Sequence, residues 1–201
     1  LLLFGLAEKE YGGVVTPSTA KNIGETYVKS IQDLAPDGQP VKRITNKTPA
    51  NYLNIGNILR SLPNAKIINC VRNPIDTCFS CYKQNFLMGH AWSYDLNAAM
   101  HQYNLYHDLM NFWKEVYPDR IYDVKYEGLV TDFESTVKGL VDHLDLEWDD
   151  ACLRPQDLNR PIFTASKMQA NKPVYSSSIG AWKKYKDHLR PLVEAFDQEG
   201  E

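Results

Sequence analysis

The stretch Ala65-Lys66-Ile67-Ile68-Asn69-Cys70-Val71-Arg72-Asn73-Pro74-Ile75-Asp76 decides the fold class. Residues 65–71 read as a strand in which Ile67, Ile68, Cys70 and Val71 leave almost no polar face. A strand apolar on both sides suits a parallel sheet covered by helices. The next residues stop the strand and start a helix. Asn73 can cap, Pro74 fits the first helical position, and Asp76 falls in the electropositive first turn. Helix therefore begins within about two residues of the strand end, which is an α/β signature.

Working outward, a second strand is expected over residues 120–126, with Ile121, Val124 and Tyr126 facing the core. A long helix, Leu96 to Val116, separates the two strands and carries Tyr103, Tyr106, Met110 and Trp113 along one side. Thr131 and Glu134 have capping-box spacing before a helix bearing Val137, Leu140, Val141 and Leu144. Towards the amino terminus, residues 12–20 read as a loop, with a helix after it through Tyr27, Ile31 and Leu34. Residues 41–45 read as a short strand. Thr48 and Pro49 then look like an N-cap and first helical position, ahead of Tyr52, Ile55 and Leu59. Residues 154–177 read as irregular, and a final amphipathic helix carries Ile179, Trp182, Tyr185 and Leu189.

The composition is that of an ordinary globular chain, with 43% hydrophobic and 23% charged residues among 201. Lys and Arg number 22 against 25 Asp and Glu, a formal charge of -3 that argues against a general nucleic-acid surface but leaves room for a local anion site. The opening Leu1-Leu2-Leu3-Phe4-Gly5-Leu6 is far short of the roughly 20 apolar residues a membrane span needs. It has no basic segment before it and lacks an initial Met, so the chain reads as one domain, residues 1–201, cut from a longer protein at its amino end. Cys78 and Cys81 have metal-like spacing without a second pair, and a buried apolar role fits them better. The five histidines are scattered and suggest no metal cluster.

Chemistry concentrates at Arg72. Ligands of open α/β sheets lie outside the carboxyl ends of the strands. Amides of a first helical turn attract anions there, and an Arg adds a charge-assisted fork. Ser80, two turns into the helix, can reach the same ligand. The competing reading pairs Arg72 with Asp76 and lets Ser80 pack. Lys47, just before the Thr48-Pro49 helix start, can neutralise charge developing on an oxygen or simply be solvated. Tyr126 can stack on a base or pack in the core. The segment Thr164-Ala165-Ser166-Lys167-Met168-Gln169 offers hydroxyl, amide and amine donors on a loop that can close over a site or merely connect elements. Gly-x-Ser-x-Gly, His-Glu-x-x-His, Gly-x-Gly-x-x-Gly and Gly-x-x-x-x-Gly-Lys are all absent from the 201 residues.

Four segments together carry a family resemblance: Asn46-Lys47-Thr48-Pro49-Ala50-Asn51-Tyr52; Pro63-Asn64-Ala65-Lys66-Ile67-Ile68 running into Val71-Arg72-Asn73-Pro74-Ile75-Asp76; Val124-Lys125-Tyr126-Glu127; and Thr164-Ala165-Ser166 through Gln169, Lys172-Pro173-Val174-Tyr175 and Ser178-Ile179-Gly180-Ala181-Trp182. In this order they resemble the sulfotransferase superfamily that uses 3'-phosphoadenosine 5'-phosphosulfate. The branch most resembled contains tyrosylprotein sulfotransferases and bacterial relatives associated with tetratricopeptide repeats. The resemblance implies an α/β, P-loop-NTPase-like parallel sheet flanked by helices, with the sulfuryl donor as co-substrate and no metal. It implies that Arg72 and Ser80 bind the nucleotide 3'-phosphate and Tyr126 lines the adenosine site. Lys47 then stands near the transferring group, and Ser166 contacts the nucleotide phosphate. A hydroxyl-bearing acceptor (peptide tyrosine, carbohydrate or small molecule) is implied as partner, with homodimer formation an open alternative. A bacterial relative would be cytoplasmic and a eukaryotic tyrosylprotein enzyme would sit in the Golgi lumen.

The chain also departs from that pattern. The family's Pro-x-x-Ser-Gly-Thr-Thr type loop for the 5'-phosphosulfate, with its strand and its general base, is not among these residues. Ala181 stands where a basic residue usually precedes the Trp, and Gln84 where tyrosylprotein enzymes carry another arginine. Two rival readings therefore stand: a P-loop kinase or phosphotransferase, and a degenerate sulfotransferase-like binding module without catalysis.

Overall fold

The computed structural model describes residues 16–32, 43–86, 89–157 and 175–196. It is an α/β fold with a small parallel sheet flanked by helices. The described elements are α1 (Pro17–Gln32), α2 (Ile55–Ser61), β1 (Ile67–Val71), α3 (Pro74–Lys83), α4 (Leu96–Val116), β2 (Ile121–Lys125), α5 (Tyr126–Thr131), α6 (Phe133–His143) and α7 (Arg190–Phe196). Short 3₁₀ segments at Pro49–Asn54, Ala91–Tyr94, Asp150–Leu153, Pro155–Asp157 and Ala181–Leu189 link them. β1 and β2 pair directly, and the Asn69 side-chain amide donates to Asp123 across the pair at 2.9 Å.

The chain forms two compact units. One comprises the residues up to Ile67 together with Leu109–Pro118, and the other Ile68–Asp108 with Asp119 onward. In the first, α1 begins earlier than its loop-like composition predicts. The Thr16 hydroxyl accepts the Thr19 amide at 3.2 Å and Pro17 takes the first helical position, so residues 17–20 are helix and not loop. α1 and α2 meet at Gly24, where an added Cβ would stand 1.9 Å from the Ser61 carbonyl oxygen. Trp113 lies over Gly56, and its indole N–H donates to the Tyr52 carbonyl at 2.8 Å. Thr48 has extended backbone angles before Pro49 but makes no side-chain cap, and the chain passes through a 3₁₀ turn before entering α2. Of the strand expected at 41–45, residues 41 and 42 lie outside the described residues, and 43–45 form no regular element.

In the second unit, Ile75, Cys78 and Phe79 of α3 pack with Ala99, Trp182, Leu189, Leu192 and Phe196. Trp92, Leu96, Met100, Tyr103 and Val193 flank this core, and the Tyr103 and Phe196 rings meet edge-on with centroids 5.3 Å apart. The last helix predicted from 179–189 is two pieces: a 3₁₀ run interrupted at Tyr185, then α7. Trp182 and Leu189 are buried as expected, whereas Tyr185 is 49% exposed. The capping box at Thr131 and Glu134 does not form. The Thr131 hydroxyl donates to the Glu127 carbonyl within α5, while Glu134 pairs with Lys138 one turn along α6. β1 also differs from the doubly buried strand its composition suggests. Its exposure alternates along the strand, with Ile68 37% exposed, so one set of side chains faces away from the core.

The Gly24 contact is directly testable. Gly24→Ala should lower unfolding stability by about 2 kcal/mol or more, since a backbone carbonyl cannot yield as a side chain does. Urea denaturation would register this as a lower midpoint. An unchanged midpoint would contradict the close α1–α2 approach.

Candidate functional site

The turn from β1 into α3 is built as its sequence dictates. Asn73 caps α3 by accepting the Asp76 amide on its side-chain oxygen at 3.0 Å, and Pro74 takes the first position. The Asn73 carbonyl accepts the Thr77 amide at 2.9 Å. The Asn73 amide itself donates to the Glu127 carboxylate at 2.9 Å, tying the strand ends of β1 and β2 together through α5. These three amides are therefore satisfied by protein atoms. This leaves fewer first-turn amides of α3 for an anion than its sequence suggests.

Arg72 supplies the charge. Its Nη2 donates to the Ser178 carbonyl at 2.6 Å and stands 3.9 Å from an oxygen of Asp76. The guanidinium carbon lies 4.7 Å from the centre of the Tyr126 ring. Its Nε is buried and has no hydrogen-bond partner among the described residues. The Arg72–Asp76 pairing entertained from sequence is thus present, and it leaves part of the guanidinium fork unused. Ser80 does not pack inward. It is exposed on α3, beside Cys81, whose thiol is raised by burial while the charge of Arg72 works against that rise.

Asp76 is the residue whose role sequence reasoning understated. It reads as a first-turn acid, yet its side chain is only 1% exposed. One carboxylate oxygen accepts the Gly180 amide at 2.7 Å and the other the Trp182 amide at 3.3 Å. The turn ahead of Trp182 is therefore pinned to the start of α3. Gly180 adopts φ 66°, a left-handed conformation that favours glycine and aims its amide at the acid. The distances of more than 100 residues in sequence explain why no local pattern disclosed the contact.

The other predicted residues are spread over both units. Tyr126 does not end a strand; it opens α5, and its ring is half-buried beneath Arg72. Lys47 belongs to the first unit, where it is exposed without a side-chain partner among the described residues. Its neighbours Asn46 and Asn51 join Tyr27 in a chain of hydrogen bonds at 2.9 and 3.0 Å. Ser166 and its loop lie outside the described residues. Gln84 is exposed at the end of α3, and Ala181 is half-buried at the start of its 3₁₀ segment. Among the described residues no group of three or more His, Cys, Asp and Glu is placed to hold a metal ion, and no helix is long and apolar enough to cross a membrane. Cys70, Cys78, Cys81 and Cys152 are all free thiols.

A strand end, a capped helix and an arginine set over a tyrosine ring thus meet at one corner of an α/β scaffold. The chain belongs to the sulfotransferase family, whose model matches residues 15–150. It is 35% identical over 161 residues to an uncharacterized protein of Aquifex aeolicus (strain VF5), covering 79% of this chain and 21% of that one. It is 26% identical over 163 residues to a protein-tyrosine sulfotransferase of Drosophila melanogaster, covering 76% of this chain and 32% of the relative. The chain thus spans between about a fifth and a third of the length of these curated relatives.

Cys78, on the buried face of α3, gives a pH test of the site's scaffold. Burial pushes its thiol up to about 12, with the nearby Cys81 adding to the rise. Between the ordinary thiol value of 9.0 and about 12, the unfolded chain loses a proton that the folded chain keeps. Folding stability should therefore fall as pH rises through that window. Cys78→Ala should flatten the fall in chemical denaturation at stepped pH; an unaltered slope would contradict a buried neutral thiol.

Proposed function

We propose that the Arg72 corner binds the 3'-phosphate of 3'-phosphoadenosine 5'-phosphosulfate and that the protein transfers its sulfuryl group to an acceptor hydroxyl. The single observation that carries this reading is the partly unused Arg72 guanidinium, held on Tyr126 at the carboxyl end of β1 with its Nε buried and without a partner among the described residues. A buried donor without a partner is rare and calls for an explanation, which a ligand at the 21% exposed guanidinium would supply. A phosphate oxygen matches it in charge and geometry better than any neutral group. Ser80 adds a hydroxyl donor from α3, and the Tyr126 ring offers a face to the adenine.

In this reading the fold is the P-loop-NTPase-like one, and the bound donor supplies an activated sulfuryl group. Arg72 and Ser80 anchor the far end of the nucleotide. Binding energy spent there positions the reacting group and excludes misaligned approaches. Lys47 balances negative charge developing on the transferring oxygens, and Ser166 completes the phosphate contacts. The similarity to a Drosophila protein-tyrosine sulfotransferase supports peptide tyrosine as the acceptor and a tyrosylprotein-type reading of the chain. A phenolic hydroxyl has a pKa near 10 and is the easiest of the candidate acceptors to deprotonate.

Calorimetry with 3',5'-adenosine bisphosphate on the full-length folded protein tests the nucleotide site. Arg72→Ala and Ser80→Ala should each weaken binding about tenfold or more, the effect of losing a hydrogen bond to a charged group. Ser80→Ala should leave the melting temperature unmoved, because Ser80 is exposed. Absence of binding by well-folded native protein would contradict the reading. A ³⁵S-labelled donor offered with tyrosine peptides, sugars and small phenols should label the peptides. Labelling confined to sugars would overturn the acceptor assignment.

A further inference from the structure

We infer that Asp76 is a positioning residue for the nucleotide phosphate, acting through Arg72 and the 178–182 turn; the inference rests on reading this corner as a phosphate site. Three independent contacts converge on one carboxylate. Its two oxygens take the amides of Gly180 and Trp182 at 2.7 and 3.3 Å, and one of them faces the Arg72 guanidinium at 3.9 Å. Arg72 in turn donates to the Ser178 carbonyl of the same turn at 2.6 Å. Strand end, helix start and turn therefore close into a ring: Arg72 to Ser178, along the backbone to Gly180, and back through Asp76 to Arg72.

The chemistry of the ring determines what it does for a ligand. A guanidinium presents its donors as a rigid planar fork, so fixing Nη2 on Ser178 fixes the direction of Nε and Nη1. Tyr126 lies against the face of the same group and removes the remaining freedom to tilt. The side chain of Arg72 is 21% exposed, enough for solvent or a ligand to meet it while the carboxylate behind it stays dry. Asp76 itself, at 1% exposure, is out of reach of a ligand and works only through its neighbours.

A positioning role and simple electrostatics differ in sign. Removing a negative charge 3.9 Å from the phosphate-binding arginine should by charge alone strengthen anion binding. A positioning role requires the opposite. In Asp76→Asn one acceptor oxygen is replaced by a donor amide that cannot take the second backbone N–H, so the turn and the Arg72 fork are released.

The test is calorimetry of 3',5'-adenosine bisphosphate with the full-length protein, Asp76→Asn, Arg72→Ala and the double variant, alongside the melting temperature of each unliganded protein. Native binding is the control on the site reading: without it both that reading and this inference fail. Given native binding, Asp76→Asn should lose affinity about tenfold, and should cost little further in the Arg72→Ala background. Equal or tighter binding by Asp76→Asn overturns the inference and leaves the phosphate site standing. Losses that multiply in the double variant also overturn it, because Asp76 would then not act through Arg72. Should Asp76→Asn fail to fold, Gly180→Ala strains the same turn at φ 66° with carboxylate and arginine in place. Several-fold weaker binding by that variant supports the linkage, and unchanged binding overturns it.

Discussion

One buried carboxylate organises the second unit. An ionised acid removed from water is tolerated only where donors replace its hydration, and losing one partner of such a pair typically costs about 3–5 kcal/mol. Asp76 collects two backbone amides and faces a guanidinium, so three chain segments must come together for it to be buried at all. The demand runs outward from there. Trp182 goes with its amide into the core beside Ile75, Cys78 and Phe79, and Leu189 and α7 close over the same apolar cluster. The helix that carries the core and the corner that carries the charge are thus two faces of α3.

The corner also shows how much of the start of α3 is engaged by protein atoms. Glu127, the Asn73 side chain and the Asn73 carbonyl take the amides of Asn73, Asp76 and Thr77. Among the described residues, the Arg72 side chain is 21% exposed and Ser80 is exposed. Both are side chains whose strength depends on orientation, which places the burden on the groups that hold Arg72 in place.

Local signals were legible where the physics is local. The Arg72-Asn73-Pro74 stop and start, the bounds of α4 and the position of β2 all come from caps, prolines and apolar spacing. The family itself is legible in the order of the motifs, and its model matches residues 15–150, which hold the first three of the four. Other features depended on partners far along the chain. Asp76 reads as a helix-dipole acid because nothing near it announces Gly180 and Trp182. Tyr126 reads as a strand end because nothing local announces the tie from Glu127 back to Asn73, 54 residues away in sequence. Thr131 reads as a cap because α5 and α6 are separate helices with a break at Asp132, which composition does not reveal. Thr16 and Pro17 did announce a helix, and the surrounding Gly, Ser and Thr obscured it.

The central claim is that the Asp76-held Arg72 and the Ser80 hydroxyl together grip a nucleotide phosphate. A crystal structure of the full-length protein with 3',5'-adenosine bisphosphate measures this most directly. The predicted result is 3'-phosphate oxygens within hydrogen-bond distance of the Arg72 guanidinium and Ser80 Oγ, with Asp76 still accepting the Gly180 and Trp182 amides. Nucleotide bound away from this corner, or bound with Asp76 detached from the turn, would contradict it.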